Sequence, residues 1–221
     1  MIKAAIFDMD GVIIDSEPIQ MLAINKVLAQ WSIQLSDKDF IPMIGRRLSD
    51  DYNYLKERFG IPVDFPEFWK MKNATYQNLI KESIEEMPGL SRLITELKQA
   101  GIKRAVASGS IRADIDIVLN GLGLQSEFDV ITAGNEVKHG KPHPEIYLLT
   151  SSRLEVNPED CVALEDTYYG LCSAKSAGMK CIAVPHKYTA QQDFSRADLT
   201  TDSLNNISLS VIQQLNHSSK D

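Results

Sequence analysis

The 221-residue sequence has few cysteines, no long apolar run and no surplus of positive charge. Its three cysteines form no CxxC pair, which argues against both a disulfide framework and a zinc site. No apolar run approaches the ~18 residues of a membrane-spanning helix, and the first one, residues 4–7, stops at Asp8, too short for a signal-peptide core. A net charge of −7 disfavours a nucleic-acid partner. We therefore expect a cytoplasmic protein that engages neither membrane nor nucleic acid.

What the sequence does contain is an alternation of short apolar runs with amphipathic segments. An apolar share of 43% and a charged share of 24% are typical of a globular protein. Helical patterns that end at Gly101 and Gly178, or begin near Pro144, separate the apolar runs. Strands that alternate with helices predict a parallel sheet covered on both faces, which is an α/β, Rossmann-like architecture. The predicted strands are 3–7, 103–107, 130–133, 161–164 and 180–184.

One long segment interrupts this alternation of predicted strands and helices. From Ser16 to about Glu86 the sequence shows helical patterns only, beginning with a helix start at Ser16, Glu17 and Pro18. Some seventy residues are too many for a plain crossover between two strands. We therefore predict an inserted α-helical domain at 16–87, and a core domain formed by 1–15 and 88–221.

The first predicted strand leads into Asp8-Met9-Asp10-Gly11-Val12. Ligands of open parallel sheets bind at the carboxyl ends of the strands. Two carboxylates held close together resist joint ionisation unless a cation lies between them, which makes Mg²⁺ a natural partner. Asp and Gly are also ordinary turn residues, so a solvated turn explains the pentapeptide about equally well.

Three further segments place polar groups at strand ends or in the loop before a helix. A hydroxyl with exposed amides at 108–110 fits an anion site, although a serine that caps a helix is the simpler reading of that segment alone. Lys141 lies between Gly140 and Pro142 in a loop, where it can neutralise phosphate charge or simply face solvent. Two adjacent acids at the end of a buried strand are costly without a cation, although they could also cap the next helix. The candidate residues are Ser108, Gly109, Ser110, Lys141, Glu165 and Asp166.

Taken together, these segments resemble the four motifs of the haloacid dehalogenase-like phosphohydrolase superfamily. Asp8-Met9-Asp10-Gly11-Val12 matches the first motif, Ser108 the second, Lys141 the third and Glu165-Asp166 the fourth, in the family's order over nearly the whole chain. The helical insert resembles the cap of the subgroup that contains β-phosphoglucomutase and small sugar-phosphate phosphatases. The resemblance implies a haloacid dehalogenase-like core with a cap domain.

The resemblance also implies a reaction and a role for each matched residue. Asp8 is the implied nucleophile that forms an aspartyl-phosphate, and Asp10 the implied general acid and base. The expected function is Mg²⁺-dependent hydrolysis of small phosphorylated metabolites, with sugar phosphates as the expected class. The implied catalytic residues are Asp8, Asp10, Ser108 and Lys141, the implied Mg²⁺ ligands are Asp8, Asp10, Glu165 and Asp166, and Ser108, Gly109, Ser110 and Lys141 are implied to bind the substrate.

Within the cap, we expect Gln20, Arg46 and Arg47 to contact the substrate, with solvated surface arginines as the alternative. Enzymes that resemble β-phosphoglucomutase carry a histidine at the position that Gln20 occupies here. That departure weakens the case for a phosphomutase, which stays open as the second hypothesis. A third is a non-catalytic phosphate-binding module, and a dehalogenase is disfavoured because Asp10 is present. We expect a monomer.

Overall fold

A computed structural model describes residues 1–44 and 48–215, and its centre is a six-stranded parallel sheet in the order β3-β2-β1-β4-β5-β6. The first strand lies in the middle, where Phe7 pairs with Val106 on one side and with Leu164 on the other. All four residues of this strand are buried, as a strand covered on both faces requires. The strands are β1 (Ala4–Phe7), β2 (Lys103–Ser108), β3 (Val130–Ala133), β4 (Cys161–Glu165), β5 (Lys180–Ala183) and β6 (Leu199–Thr200).

Helices cover both faces of this sheet. Side chains of β1 alternate between two apolar clusters, so that Phe7 packs into one and Ile6 into the other. The first cluster includes residues of α5, α6 and α9, and the second includes residues of α7 and α8. These helices are α5 (Leu90–Gln99), α6 (Arg112–Gly121), α7 (Glu145–Leu154), α8 (Tyr168–Ser176) and α9 (Leu209–Gln214).

A block of helices is inserted between β1 and α5 and has an apolar cluster of its own. That cluster includes Ile24, Leu55 and Phe68, which are all buried. Asp64 caps the longest of these helices by accepting a hydrogen bond from the backbone N–H of Glu67 at 3.0 Å. The inserted helices are α1 (Glu17–Leu28), α2 (Asp37–Phe40), α3 (Leu48–Phe59) and α4 (Phe65–Glu82).

The two chain segments that lead into and out of the inserted helices lie side by side. Ile14 and Glu86 form an antiparallel bridge, and the backbone N–H of Met87 donates to the carbonyl of Ile13 at 2.8 Å. Gly89 follows with φ of 96°, and a Cβ there would meet the backbone of Asn205. A glycine is therefore required where the chain segment that leaves the inserted helices reaches α5.

The predicted fold class is confirmed, with small differences at element ends. Helix α8 begins at Tyr168 because the Thr167 side chain accepts from the N–H of Gly170. Helix α6 is preceded by Ile111, so Ser108 is not its capping residue. The two-residue strand β6 was not predicted. Within residues 1–44 and 48–215, no helix has the length and apolar character needed to cross a bilayer.

Candidate active site

The carboxyl ends of β1 and β4 bring three acidic side chains together, and a lysine from the loop before α7 lies among them. Lys141 Nζ lies 2.9 Å from Asp8 Oδ1 and 2.6 Å from Glu165 Oε1. One carboxylate oxygen each from Asp8, Glu165 and Asp166 lie within 4.8 Å of one another. These side chains come from positions up to 158 residues apart in sequence, and the parallel register of β1 and β4 aligns the strand ends that carry them.

Burial dominates the electrostatics of this cluster. It raises the pKa of Asp8 to about 7, against the opposing effect of the Lys141 ammonium. Burial also raises the pKa of both Glu165 and Asp166 above the ordinary carboxyl range. For Lys141 burial lowers the pKa, but the carboxylates of Asp8 and Glu165 outweigh it and raise the pKa above its usual value. The cluster therefore holds more negative charge than one lysine can balance.

Two unpartnered carboxylate oxygens show that this cluster fits a divalent cation. Oδ1 of Asp166 and Oε2 of Glu165 are buried and accept no hydrogen bond from residues 1–44 or 48–215. Such groups are costly in a protein interior unless a cation or water compensates them. Oxygen-only donors of this kind are those that Mg²⁺ prefers. The donor set therefore suits the predicted magnesium ion, with Asp8, Glu165 and Asp166 as its side-chain candidates.

Two glycines leave room for these carboxylates. Gly11 has φ of 78°, and a Cβ at this position would overlap Oδ2 of Asp166. A Cβ on Gly170 would overlap the carboxylate of Glu165 in the same way. Both the left-handed turn after Asp10 and the start of α8 therefore depend on the absence of a side chain.

Asp10 is held by two hydroxyl groups and faces the same cavity as Asp8. Ser16 Oγ donates to its Oδ1 at 2.5 Å, and Ser110 Oγ donates to its Oδ2 at 2.9 Å. Ser16 immediately precedes α1, yet its side chain does not cap that helix, because the hydroxyl is used by Asp10. The carboxyl of Asp10 is thereby fixed between the core and the first inserted helix.

The segment after β2 presents Gly109 and Ser110 to the cavity, whereas Ser108 is fully buried. The Ser108 hydroxyl accepts from the backbone N–H of Ser110 at 3.0 Å. Ser108 therefore shapes this turn in the structure, and its contact with a substrate stays a prediction.

A cavity of about 470 Å³ opens above the acidic cluster, between the core and the inserted helices. Gln20 lines it, and its side-chain oxygen accepts a hydrogen bond from Lys72 Nζ, a contact across 52 residues of sequence. Arg46 and Arg47, the other two residues predicted in the cap, lie outside the described residues. Polar groups that line the inserted side include those of Glu17, Gln20, Asp51, Lys72 and Asn73.

Three residues that contact the site were not identified from the sequence in this role. The Tyr147 hydroxyl donates to Glu165 Oε1, and His186 Nε2 lies 3.0 Å from Asp166 Oδ2. Lys72 reaches the cavity from α4. For His186 a usable signal exists, because it follows β5 at the same sheet edge as the motif residues. No such signal exists for the other two: Tyr147 lies in sequence among the apolar residues of α7, and Lys72 lies in no recognisable motif.

Glu17, the first residue of α1, has a raised pKa that can be tested through the pH dependence of stability. Burial, followed by the charges of Asp10 and Asp166, raises the pKa of Glu17 to about 8, while His186 opposes the shift. A raised carboxyl pKa means that the folded state holds a proton that the unfolded chain has released, so stability falls as the pH rises from 4.5 towards 8.

We therefore expect Glu17→Gln to raise the free energy of unfolding of the metal-free protein at pH 8 and to leave it nearly unchanged at pH 4.5. Each pKa unit corresponds to about 1.4 kcal/mol, so the gain is at most several kcal/mol. Urea unfolding at a series of pH values in EDTA measures it, with the exposed Glu57→Gln as control. If Glu17→Gln raised the free energy of unfolding equally at pH 4.5 and pH 8, the pKa of Glu17 would not be raised in the folded protein.

Comparison with known proteins agrees with the motif resemblance. The sequence profile described as haloacid dehalogenase-like hydrolase matches residues 5–184. The chain therefore belongs to the haloacid dehalogenase-like hydrolases, and the predicted enzyme class, a phosphatase-type hydrolase, is confirmed.

Particular relatives match over nearly full length. Hexitol phosphatase B of Escherichia coli (strain K12) is 34% identical over 92% of this chain and 93% of its own. The crystal structure of CbbY from Rhodobacter sphaeroides in complex with phosphate is 30% identical, with a TM-score of 0.90 over 96% of this chain and 100% of the other. β-Phosphoglucomutase (pgmB) from Clostridium difficile is 31% identical, with a TM-score of 0.83 and coverage of 98% for both chains.

Proposed function

We propose that this protein is a Mg²⁺-dependent phosphatase that hydrolyses small sugar or polyol phosphates through an aspartyl-phosphate on Asp8. The observation that carries the proposal is Lys141 Nζ, held between Asp8 and Glu165 at the base of a cavity that the inserted helices cover. A buried cation beside a carboxylate nucleophile suits an anionic substrate, because it offsets the repulsion between carboxylate and phosphate.

In the proposed first step, an oxygen of Asp8 attacks phosphorus and the bond to the leaving oxygen breaks. Asp10, two residues further on, delivers a proton to that oxygen and then accepts one from the water that hydrolyses the acyl phosphate. The hydroxyls of Ser16 and Ser110 hold the Asp10 carboxyl in place for both transfers. The products are inorganic phosphate and the free alcohol.

The proposed Mg²⁺ ligands are Asp8, Asp166, Glu165 and the backbone carbonyl of Asp10. When bound, the ion supplies electrostatic stabilisation of the phosphoryl oxygens. Lys141 would bind the same oxygens, and Gly109 and Ser110, which line the cavity, would complete the phosphate site, with Ser108 shaping the turn that carries them.

The inserted side of the cavity supports a hydroxyl-bearing substrate. Gln20 and Asn73 bring amide groups, Lys72 brings an ammonium, and Glu17 and Asp51 bring carboxyls to the cavity wall. A mixture of donors and acceptors suits a sugar or polyol, and hexitol phosphatase B carries such a substrate class in its name. The predicted substrate contacts of Arg46 and Arg47 remain part of this proposal.

A phosphomutase is the second candidate, favoured by the similarity to β-phosphoglucomutase. Gln20 argues against it, because an amide cannot exchange a proton at neutral pH as a histidine can. The Gln20 side-chain oxygen is also engaged by Lys72. We therefore expect water, rather than a second sugar hydroxyl, to accept the phosphoryl group.

The decisive experiment is a panel of sugar and polyol phosphates, with Mg²⁺ or with EDTA, assayed for released phosphate and for isomeric phosphates. We expect phosphate release that depends on Mg²⁺ and no isomer. Formation of glucose 6-phosphate from β-glucose 1-phosphate would instead show a mutase. Lack of metal-dependent turnover on the whole panel and on p-nitrophenyl phosphate would leave only a phosphate-binding module.

We also propose that residues 16–87 act as a cap domain on a core of 1–15 and 88–221. The paired segments at Ile14 and Glu86 are the candidate hinge. Closure over the cavity would exclude water during the first phosphoryl transfer. A monomeric state and a cytoplasmic location belong to the same proposal.

A further inference from the structure

The loop that carries Lys141 also gathers two imidazoles and a carboxylate at the surface. His139 Nδ1 lies 3.0 Å from Glu145 Oε2, and His143 Nδ1 lies 3.8 Å from the same oxygen. The two imidazole rings are neighbours, with centroids 4.7 Å apart and planes inclined by 35°. One donor atom from each of the three residues lies within 4.8 Å of the others.

We propose that His139, His143 and Glu145 bind one transition-metal ion of the Zn²⁺, Co²⁺ or Ni²⁺ class, at a site separate from the acidic cavity. Imidazole nitrogens favour these ions, whereas Mg²⁺ prefers oxygen donors and keeps several waters. Two imidazoles and one carboxylate are a common ligand set for a divalent transition metal, with water in the remaining positions.

The carboxylate of this trio is already ordered and charged. Backbone N–H groups of Lys138 and His139 donate to its two oxygens at 2.9 and 3.0 Å. These backbone bonds and the neighbouring His139 lower the pKa of Glu145 to about 2. Glu145 therefore offers an ionised oxygen near neutral pH, with an orientation fixed by partners that would remain after an ion binds.

The imidazoles are open to ions from solvent, and their present hydrogen bonds are to Glu145 itself: His139 Nδ1 to the carboxylate at 3.0 Å, and His143 Nδ1 as acceptor from the backbone N–H at 3.3 Å. The side chains of His139 and His143 are 59% and 50% exposed. Metal–ligand bonds of about 2 Å require donor atoms closer together than the present spacing, and rotation of two exposed rings about the fixed carboxylate supplies that movement.

This trio is distinct from the proposed Mg²⁺ site by position and by chemistry. His139 and His143 stand on either side of Lys141 in sequence, but the Lys141 ammonium lies inside against Asp8 and Glu165. Glu145 is the first residue of α7. An ion on the trio would therefore join both flanks of the Lys141 loop to the start of a helix.

Isothermal titration with Co²⁺, together with the visible absorption of bound Co²⁺, tests this site on the full chain in excess Mg²⁺. Wild type and three variants are compared. His139→Asn with His143→Asn removes both imidazoles, Asp166→Asn alters the acidic cavity, and His217→Ala removes a histidine outside the trio.

We expect one binding event to vanish in the double variant and to persist in Asp166→Asn and in His217→Ala. Unchanged heats and spectra in the double variant would overturn the proposal. The proposal would also be overturned if the event lost in the double variant were lost in Asp166→Asn as well, because that ion would then depend on the acidic cavity. Phosphatase activity is not the readout, so failure here leaves the proposed reaction untouched.

Discussion

Replacing Asp8 by Asn is expected to abolish turnover on every phosphate ester, because the amide cannot form the acyl phosphate. The substitution preserves the size of the side chain and removes one negative charge from a buried cluster, so the fold should persist. We expect a loss of at least about 10⁴-fold in kcat, more than the loss of one electrostatic contact would give. Released phosphate, measured with Mg²⁺ on a sugar phosphate and on p-nitrophenyl phosphate, quantifies it.

Asp10→Asn is the matched control, because it makes the same chemical change two residues away. Asp10 is proposed to protonate the leaving oxygen, and p-nitrophenolate is a good leaving group that needs little protonation. Both esters lose the base that assists hydrolysis of the acyl phosphate, so the comparison uses the first turnover only. There, Asp10→Asn should slow release of the sugar alcohol far more than release of p-nitrophenol, whereas Asp8→Asn should abolish both. Substantial aryl phosphatase activity in Asp8→Asn would contradict a covalent route through Asp8.

Most of the fold could be predicted because its signals are local. Apolar runs of four to six residues, each separated by an amphipathic helix, identify β1 to β5 and the parallel sheet. Strand β6 was not predicted because two residues carry no periodicity. In the described part of the chain, Leu199 and Thr200 pair with β5 alone. The inserted helices were recognisable as a block, since no strand pattern occurs between Ser16 and Glu86.

The residues of the site also fall into two groups: those predicted from local motifs, and those that reach the site through tertiary packing. Asp8, Lys141 and Asp166 lie in short motifs whose place at the sheet edge follows from topology, and the structure brings all three together. The partners Tyr147 and His186 reach Glu165 and Asp166 through the packing of α7 and of the segment after β5. Which surrounding side chain fills a given space is decided by tertiary packing, which no local pattern encodes.

Lys141→Met is expected to lower kcat by about 10²–10³-fold and also to destabilise the fold. The ammonium lies within 3 Å of two buried carboxylates, and methionine keeps much of the side-chain volume while removing the charge. Without the cation, the pKa of Asp8, already raised to about 7, should rise further. In the metal-free protein less of the nucleophile is then ionised at neutral pH, and the variant should therefore differ from wild type in the Mg²⁺ concentration that gives half-maximal activity.

Lys175→Met provides a matched control for the cost of breaking a short ion pair. Lys175 Nζ lies 2.6 Å from Asp198 Oδ2, a distance like that between Lys141 and Glu165, but it does not line the cavity. We expect Lys175→Met to lower the thermal midpoint without changing the Mg²⁺ dependence or kcat. If Lys141→Met behaved in the same way, with stability lost and kcat retained, then Lys141 would only neutralise the buried acids, and the phosphoryl oxygens would be held by other groups.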